Sequence, residues 1–514
     1  MTTDPTALLD ADFGSLPALI ALWGEVRGDA TALDDGTTRL SWRDAADRIE
    51  RIAARLQADG LERGQSVAIL GTSNVAYALV FLAAIRAGGC AAPLTTSASP
   101  QQLEGMARDS GAIHLFIDQA KLDELGDLRL PVPNQILLSD LASFMAPAGT
   151  RAEPFDPAED DPFNIIYSSG TTGIPKGIVH SHQMRWRQMS GRVALGYGAD
   201  SRALTSTPLY SNTTMVVFLP SIYSGGSVAI MGKFDTQKWL ERTEAEKITH
   251  TMLVPVQYRR LMEYPEFDKY DLSSLSMKFC TSAPFPADLK AEVLRRMPGG
   301  LVEYYGMTEG GVSCVLIAHE FPDKLHTVGR PVPGHDLKVL DENLNEVAPG
   351  QPGELVGKSP TMMLGYKNQP EKTREGYWID PADGSVWQRM GDVGIVDADG
   401  FVTLVGRTKD VIISGGFNIF PVDLEGELAR DERVVEAAVV GVPSDKWGET
   451  PVGFVVLKPG VDDSALEAIR NAANSHLGKT QRVAELYAID EMPRSHIGKL
   501  LKTDLREMVP AKAR

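Results

Sequence analysis

Residues Phe163 to Gly177 read FNIIYSSGTTGIPKG. The apolar FNIIY predicts a buried strand, and it feeds straight into three glycines, four hydroxyl side chains, a proline and a lysine. Glycines let a backbone turn tightly and approach a ligand closely, and successive N–H groups in such a turn form an anion nest. Ser168, Ser169, Thr171 and Thr172 add hydroxyl donors, and Lys176 adds a positive charge. A polyphosphate suits that set. A solvated flexible loop would also hold glycines, but a loop at the carboxyl end of a strand is where open α/β sheets place ligands. Two other phosphate loops fail on spacing. The G-x-x-x-x-G-K-[ST] loop needs glycine before the lysine, where Pro175 stands, and G-x-G-x-x-G is absent from the stretch.

Outward from this loop, helical and strand patterns alternate. Ser41 to Leu61 is an amphipathic helix with Ser41 as N-cap and Asp44 three positions on. QSVAILG (Gln65 to Gly71) is a buried strand, and Ala76 to Gly89 an apolar helix too short to span a bilayer. AAPL, AIHLFID and NQILLS repeat the strand pattern. Such alternation implies layered α/β architecture with much parallel sheet. Past Gly300, Gly-Pro turns separate short strands, which predicts a β-rich subdomain, with a hairpin in Gly394 to Arg407 turning near Asp399-Gly400. From Arg407 a small α+β unit follows, with Pro421 opening a helix. The expected division is 1–406 and 407–514.

Length and composition set bounds. The 514 residues suggest about three globular units, or two large ones. A net charge of −17 and no dense basic run argue against a nucleic-acid partner. The N-terminus lacks the apolar run of a signal peptide. Cys90, Cys280 and Cys314 stand too far apart for zinc spacing and fit buried thiols in a reducing, cytoplasmic compartment.

The glycine-hydroxyl loop and four later motifs together resemble the adenylate-forming superfamily of acyl- and aryl-CoA synthetases, luciferases and peptide-synthetase adenylation domains. The resemblance runs over nearly the whole chain, with the motifs in the family's order, and is nearest to carboxylic acid–CoA ligases. It implies that Ser168, Ser169, Gly170, Thr171, Thr172, Gly173 and Lys176 hold the β- and γ-phosphates of ATP. In EYYGMTEGG (Glu303 to Gly311), Tyr305 would stack on adenine beside Gly306 and Met307, Thr308 would bond the α-phosphate, and Glu309 would help position Mg2+. In RMGDVG, Asp392 would accept from the ribose hydroxyls. In GRTKD, Arg407 would contact ribose or phosphate and Lys409 would be the hinge. In PRSHIGKLLK, Lys499 would be the catalytic lysine on a mobile C-terminal lid, despite the unusual His496-Ile497 before Gly498. Gly415 and Gly416 would border the tunnel for a thiol arm. Trp447 would lie against the CoA adenine or anchor a loop.

By family position the acid pocket draws on Tyr210, Ser211, Asn212 and Met215, and on Ser282, Ala283 and Pro284. Ser211 and Asn212 follow Tyr210 where many aryl ligases carry histidine, which argues against a simple benzoate. No Asp marks an amino group, and no basic pair a second carboxylate. The resemblance then implies an acid, ATP and CoA as partners, with a hydroxycinnamate-like aromatic acid as lead and a medium-chain or alicyclic acid as alternative. Without a carrier-protein domain following, CoA is the expected acceptor; a stand-alone protein loading a phosphopantetheinyl carrier is the other reading. A homodimer is one assembly this allows.

Overall fold

The computed structural model describes residues 4–168, 175–414, 417–444, 447–478, 481–494 and 498–510. They form two compact units. The first comprises residues 1–326, 332–336 and 358–388, and the second residues 327–331, 337–357 and 389–514. The expected lid, 407–514, lies wholly in the second.

The first unit is layered α/β. In one sheet the strand order is Gly365–Tyr366, Gly177–Ser181, Pro162–Tyr167, Cys90–Pro93, Ser66–Leu70, His114–Ile117 and Asn134–Leu137. Its centre is parallel, and the strand Gly177–Ser181 turns back antiparallel on Pro162–Tyr167. The strand Ser66–Leu70 is buried throughout, as a continuous apolar run covered on both faces must be. The second sheet runs Gly310–Ile317, Gly300–Met307, Met277–Cys280, His250–Leu253, Arg202–Thr205, Ser227–Ile230, Thr31–Asp34 and Arg39–Ser41. From Gly300–Met307 to Thr31–Asp34 every neighbour is parallel.

Helices seal both sheets. Ser41 caps the helix Trp42–Ala58 by accepting from the Asp44 N–H. The helix Val75–Arg86 buries nearly every side chain. Its Phe81 meets Phe163 of one sheet and Phe218 of the helix Asn212–Tyr223 edge-on, both at 6.3 Å between centroids. Such pairs contribute about 0.5–1.5 kcal/mol beyond the area they bury. Among the described residues no helix is long and apolar enough to cross a membrane. All three cysteines are buried, and burial pushes the Cys90 and Cys314 thiols up to about 12, which suits packing rather than attack.

The second unit begins with the β-rich segment. The strands Asp336–Leu340, Gly353–Lys358 and Val386–Val396 lie in order, and Val402–Arg407 pairs antiparallel with the last, the expected hairpin around Gly400. A further sheet runs Phe417–Ile419, Ile412–Ser414, Gly448–Leu457 and Val434–Ser444, with Glu485–Ala488 parallel to Gly448–Leu457. Alternate residues of its strands face opposite layers. Val439 and Val455 meet Leu424, Leu428 and Ile469 of the helices Pro421–Ala429 and Leu466–Ser475. Ala438, Val440 and Phe454 meet Leu505 of the helix Lys502–Met508.

Candidate active site

The parallel strands of the second sheet deliver their carboxyl ends to one edge. Arg202–Thr205 leads to Tyr210, Ser211 and Asn212, Met277–Cys280 leads to Ser282, Ala283 and Pro284, and Gly300–Met307 ends at Thr308. Three of the motifs singled out in the sequence thus share the side of the sheet where α/β folds bind ligands.

The strand Gly300–Met307 and its antiparallel partner Gly310–Ile317 form a hairpin in which Met307 pairs with Gly310. Thr308 and Glu309 are therefore its two-residue tip. The ladder is irregular between Tyr305 and Met307, at Gly306. Each group at the tip is held from outside the hairpin. The His180 ring donates from Nε2 to the Thr308 carbonyl (2.8 Å), and the Met363 N–H donates to the Glu309 carbonyl (2.9 Å). The Tyr366 hydroxyl donates to Glu309 Oε1 (2.8 Å). Burial, then the Glu309 charge, pushes the Tyr366 phenol above its ordinary value, so it stays a donor. At the hairpin's base, Glu303 and Lys290 form a buried ion pair at 2.5 Å.

Ser168 and Lys176 bracket the glycine-hydroxyl loop, with the Ser168 N–H donating to the Lys176 carbonyl (3.0 Å). The strands on either side, Pro162–Tyr167 and Gly177–Ser181, pair antiparallel. The expectations for Ser169, Gly170, Thr171, Thr172 and Gly173 lie outside the described residues, as do those for Gly415 and Gly416. The Lys176 ammonium sits 4.7 Å from the centroid of the Tyr366 ring.

A buried guanidinium fastens these pieces together. Arg185, 2% exposed, donates to Asn164 Oδ1 (2.8 Å), Gln188 Oε1 (2.9 Å), Asn212 Oδ1 (3.0 Å) and His180 Nδ1 (2.8 Å). Arginine can only donate, so His180 Nδ1 accepts and its proton stays on Nε2, which faces the Thr308 carbonyl. Among the described residues no carboxylate pairs with Arg185. Burial, then nearby Arg192, lowers it to about 9.

At the expected acid pocket, Ser211 caps the helix Asn212–Tyr223, accepting from the Thr213 N–H. Tyr210 is buried, and Met215 lies in the main core at 2% exposure. Ser282 carries φ +81°, a conformation few non-glycine residues hold, and shares a 2.5 Å hydroxyl contact with Thr213. Ala283 is half-buried and Pro284 exposed.

In the second unit, Asp392 and Arg407 are direct cross-strand partners and form an ion pair at 2.9 Å. Arg506 pairs with Asp410 at 3.0 Å. Lys499 shares this charge cluster. Burial first, then Arg407 and Lys409, lowers its pKa, and Asp392 and Asp410 oppose the shift. Lys409 lies in a short 3-10 turn, Thr408–Asp410, and Trp447 is exposed at 41%.

The family model for AMP-binding enzymes matches residues 21–367, and the model for their C-terminal domain matches 423–499. The chain belongs to the AMP-binding enzyme family. A feruloyl-CoA synthase from an Amycolatopsis species is 33% identical, with 93% of this chain and 95% of that protein covered. The medium/long-chain-fatty-acid–CoA ligase FadD8 of Mycobacterium tuberculosis is 31% identical over 92% of this chain and 86% of its own. The crystal structure of ATP-bound MatB from Rhodopseudomonas palustris superposes with a TM-score of 0.85 at 28% identity, covering 97% of this chain and 100% of that one. As an AMP-binding enzyme the protein is an AMP-forming acid–thiol ligase that uses ATP, and the layered α/β fold with a small C-terminal domain is the one expected.

The AMP-binding enzyme's donor set fits a hard cation. Glu309 is a carboxylate whose Oε2 accepts no hydrogen bond among the described residues. No group of three or more His, Cys, Asp or Glu there could hold a metal by itself. Mg2+ would therefore take most of its ligands from phosphate oxygens and water, as it does at nucleotide sites. Sequence reasoning passed over His180, Arg185 and Tyr366. The run HSHQMRW has no helical periodicity to flag a buried cation. Tyr366 stands in GYKNQPEKT, a polar turn-rich stretch that reads as surface.

Proposed function

We propose that the protein is an ATP-dependent carboxylic acid–CoA ligase, with an aromatic, hydroxycinnamate-like acid as lead substrate. The observation that carries the reading is the meeting of Lys176 and Glu309 at one tyrosine. It joins the lysine after the glycine-hydroxyl loop to the carboxylate at the tip of the Thr308–Glu309 hairpin. A cation and a metal-competent carboxylate so joined suit the polyphosphate of ATP.

In the first step a carboxylate oxygen of the acid attacks the α-phosphorus, the bond to the bridging oxygen breaks, and pyrophosphate leaves. Two anions meet in that step, so positive charge aimed at the developing negative oxygens lowers the barrier. Lys176 would hold the departing pyrophosphate with Ser168 and the loop hydroxyls. Thr308 would donate to the α-phosphate, Tyr305 would stack on adenine, and Asp392 would hold the ribose beside Arg407. Lys499 would offset the charge at the reacting phosphate. Mg2+, held in part by Glu309, would neutralise phosphate charge. In the second step the CoA sulfur attacks the acyl carbon, the bond to AMP breaks, and thioester and AMP result. The segment from Arg407 onward would act as the lid, turning about Lys409, with Gly415, Gly416 and Trp447 serving CoA.

The aromatic lead rests on the hydroxyl and amide groups of Ser211, Asn212, Thr213 and Ser282, which suit a ring hydroxyl or ether, and on the feruloyl-CoA synthase relative. A medium-chain acid is the alternative, in keeping with the FadD8 relative. A panel of aromatic, alicyclic and aliphatic acids, scored by CoA consumption, tests the choice. Hydroxycinnamates are expected to lead, and a preference for saturated chains would overturn it. Turnover only with a phosphopantetheinyl carrier would replace CoA as acceptor.

A further inference from the structure

Tyr366 carries two contacts that no other described residue combines. Its hydroxyl donates to Glu309 Oε1 at 2.8 Å, and its ring face lies under the Lys176 ammonium at 4.7 Å. The residues it joins come from motifs 133 positions apart in the chain (309 − 176). The backbone around it leaves little freedom. Tyr366 pairs antiparallel with Ile178, two residues beyond Lys176. The Leu364 N–H donates to the Val179 carbonyl (2.9 Å), and the Lys367 N–H to the Gly177 carbonyl (2.7 Å). The Tyr366 N–H itself donates to Thr373 Oγ1 (2.9 Å). Gly365, at φ +146°, has Thr373 within 3.2 Å of where a Cβ would stand, so the strand is clamped from that side too.

We propose that Tyr366 is a positioning residue that makes the metal-binding carboxylate and the pyrophosphate-binding lysine one unit. The phenol fixes the rotamer of Glu309 by occupying Oε1 and leaving Oε2 to the metal. A partner that orients a ligating carboxylate commonly changes metal affinity 10–100-fold when removed. The ring attracts the Lys176 ammonium through its negative face, which needs no hydroxyl. The two functions therefore separate by substitution: Tyr366→Phe removes only the first, and Tyr366→Leu removes both. The inference rests on the proposed nucleotide site, in which Glu309 and Lys176 face the phosphates.

The test is calorimetric binding of ATP to the full chain, with Mg2+ and with a chelator, and needs no turnover. The wild type should bind ATP more tightly with Mg2+, and Glu309→Gln should lose that gain. Tyr366→Phe should lose about tenfold in Mg2+-dependent affinity while its metal-free affinity stays at the wild-type value. Tyr366→Leu should weaken metal-free binding as well. In the Glu309→Gln background, Tyr366→Phe should have no further effect on Mg2+-dependent affinity, because the ligating carboxylate that the phenol orients is gone. Wild-type Mg2+-dependent affinity in Tyr366→Phe, equal loss with and without metal, or full additivity with Glu309→Gln would overturn the inference while leaving the site reading standing. A wild type with no Mg2+ gain, or Glu309→Gln without effect, would overturn the site reading and the inference with it. Should Tyr366→Leu fail to fold, Tyr366→Phe and the cycle decide the matter alone.

Discussion

Lys499 shows how a single group can be tuned by where the chain leaves it. Burial disfavours its charged form, and the like charges of Arg407 and Lys409 push the same way, so it loses its proton below the ordinary lysine value of 10.5. In the proposed role the first half-reaction would use the protonated form, so its rate should fall as pH rises through that lowered value. A pH profile of acid-dependent pyrophosphate exchange checks this. Lys499→Arg keeps its charge throughout and should flatten the alkaline limb at a lower overall rate; an unchanged limb would assign that titration elsewhere. Arg185 is the opposite case, a charge used for structure. Arg185→Met would leave Asn164, Asn212 and Gln188 oxygens without a donor, at about 1–3 kcal/mol for each acceptor that stays buried and unsatisfied. Urea unfolding should show a loss of at least about 2 kcal/mol, and wild-type stability would refute the network. Lys499 was singled out in the sequence because PRSHIGKLLK resembles the family's C-terminal lysine motif. Arg185 was not, since nothing in HSHQMRW distinguishes a buried arginine from a solvated one.

The hairpin Gly300–Met307 and Gly310–Ile317 is the element on which the site depends. Its tip is made of chemistry-bearing residues, and the chain at Thr361–Met363 presses against it. A Cβ on Gly310 would stand 2.3 Å from the Thr361 carbonyl oxygen and 2.7 Å from Met362 Cα, and Gly310 holds φ +93°. Backbone cannot yield there as a long side chain would. Gly310→Ala is expected to cost about 1–3 kcal/mol and to displace Glu309. Calorimetric melting should read a lower Tm together with weaker Mg2+-dependent ATP binding; a variant with both at wild-type values would show that the close approach is not needed. Strands and helices such as Ser66–Leu70 and Trp42–Ala58 could be read in advance because apolar period and capping residues are local. The hairpin tip could not, because its anchors His180, Met363 and Tyr366 arrive from distant segments, and no local pattern encodes a long-range hydrogen bond.

For the whole molecule, the proposed reaction runs as two half-reactions that would call on different groups. Lys499→Ala should slow adenylate formation by about 10²–10³-fold, the range for removing one transition-state donor. Thioester formation from supplied acyl-adenylate should be nearly unchanged. Rapid-quench measurement of each half-reaction separates them, and equal losses in both would contradict the assignment. The order of motifs along the chain made the family and the nucleotide chemistry legible; the expected division at 406/407 was not recovered, since residues 327–331, 337–357 and 389–406 group with the second unit. The acid was not legible, because the proposed pocket draws on the ends of separate strands, and Ser211 and Met215 are also accounted for by a helix cap and core packing. The central claim is most directly tested by following nucleotide products while the enzyme consumes ATP, CoA and an accepted acid. AMP and pyrophosphate are expected in equal amounts with the thioester; ADP and inorganic phosphate in their place would contradict a reaction through an acyl-adenylate.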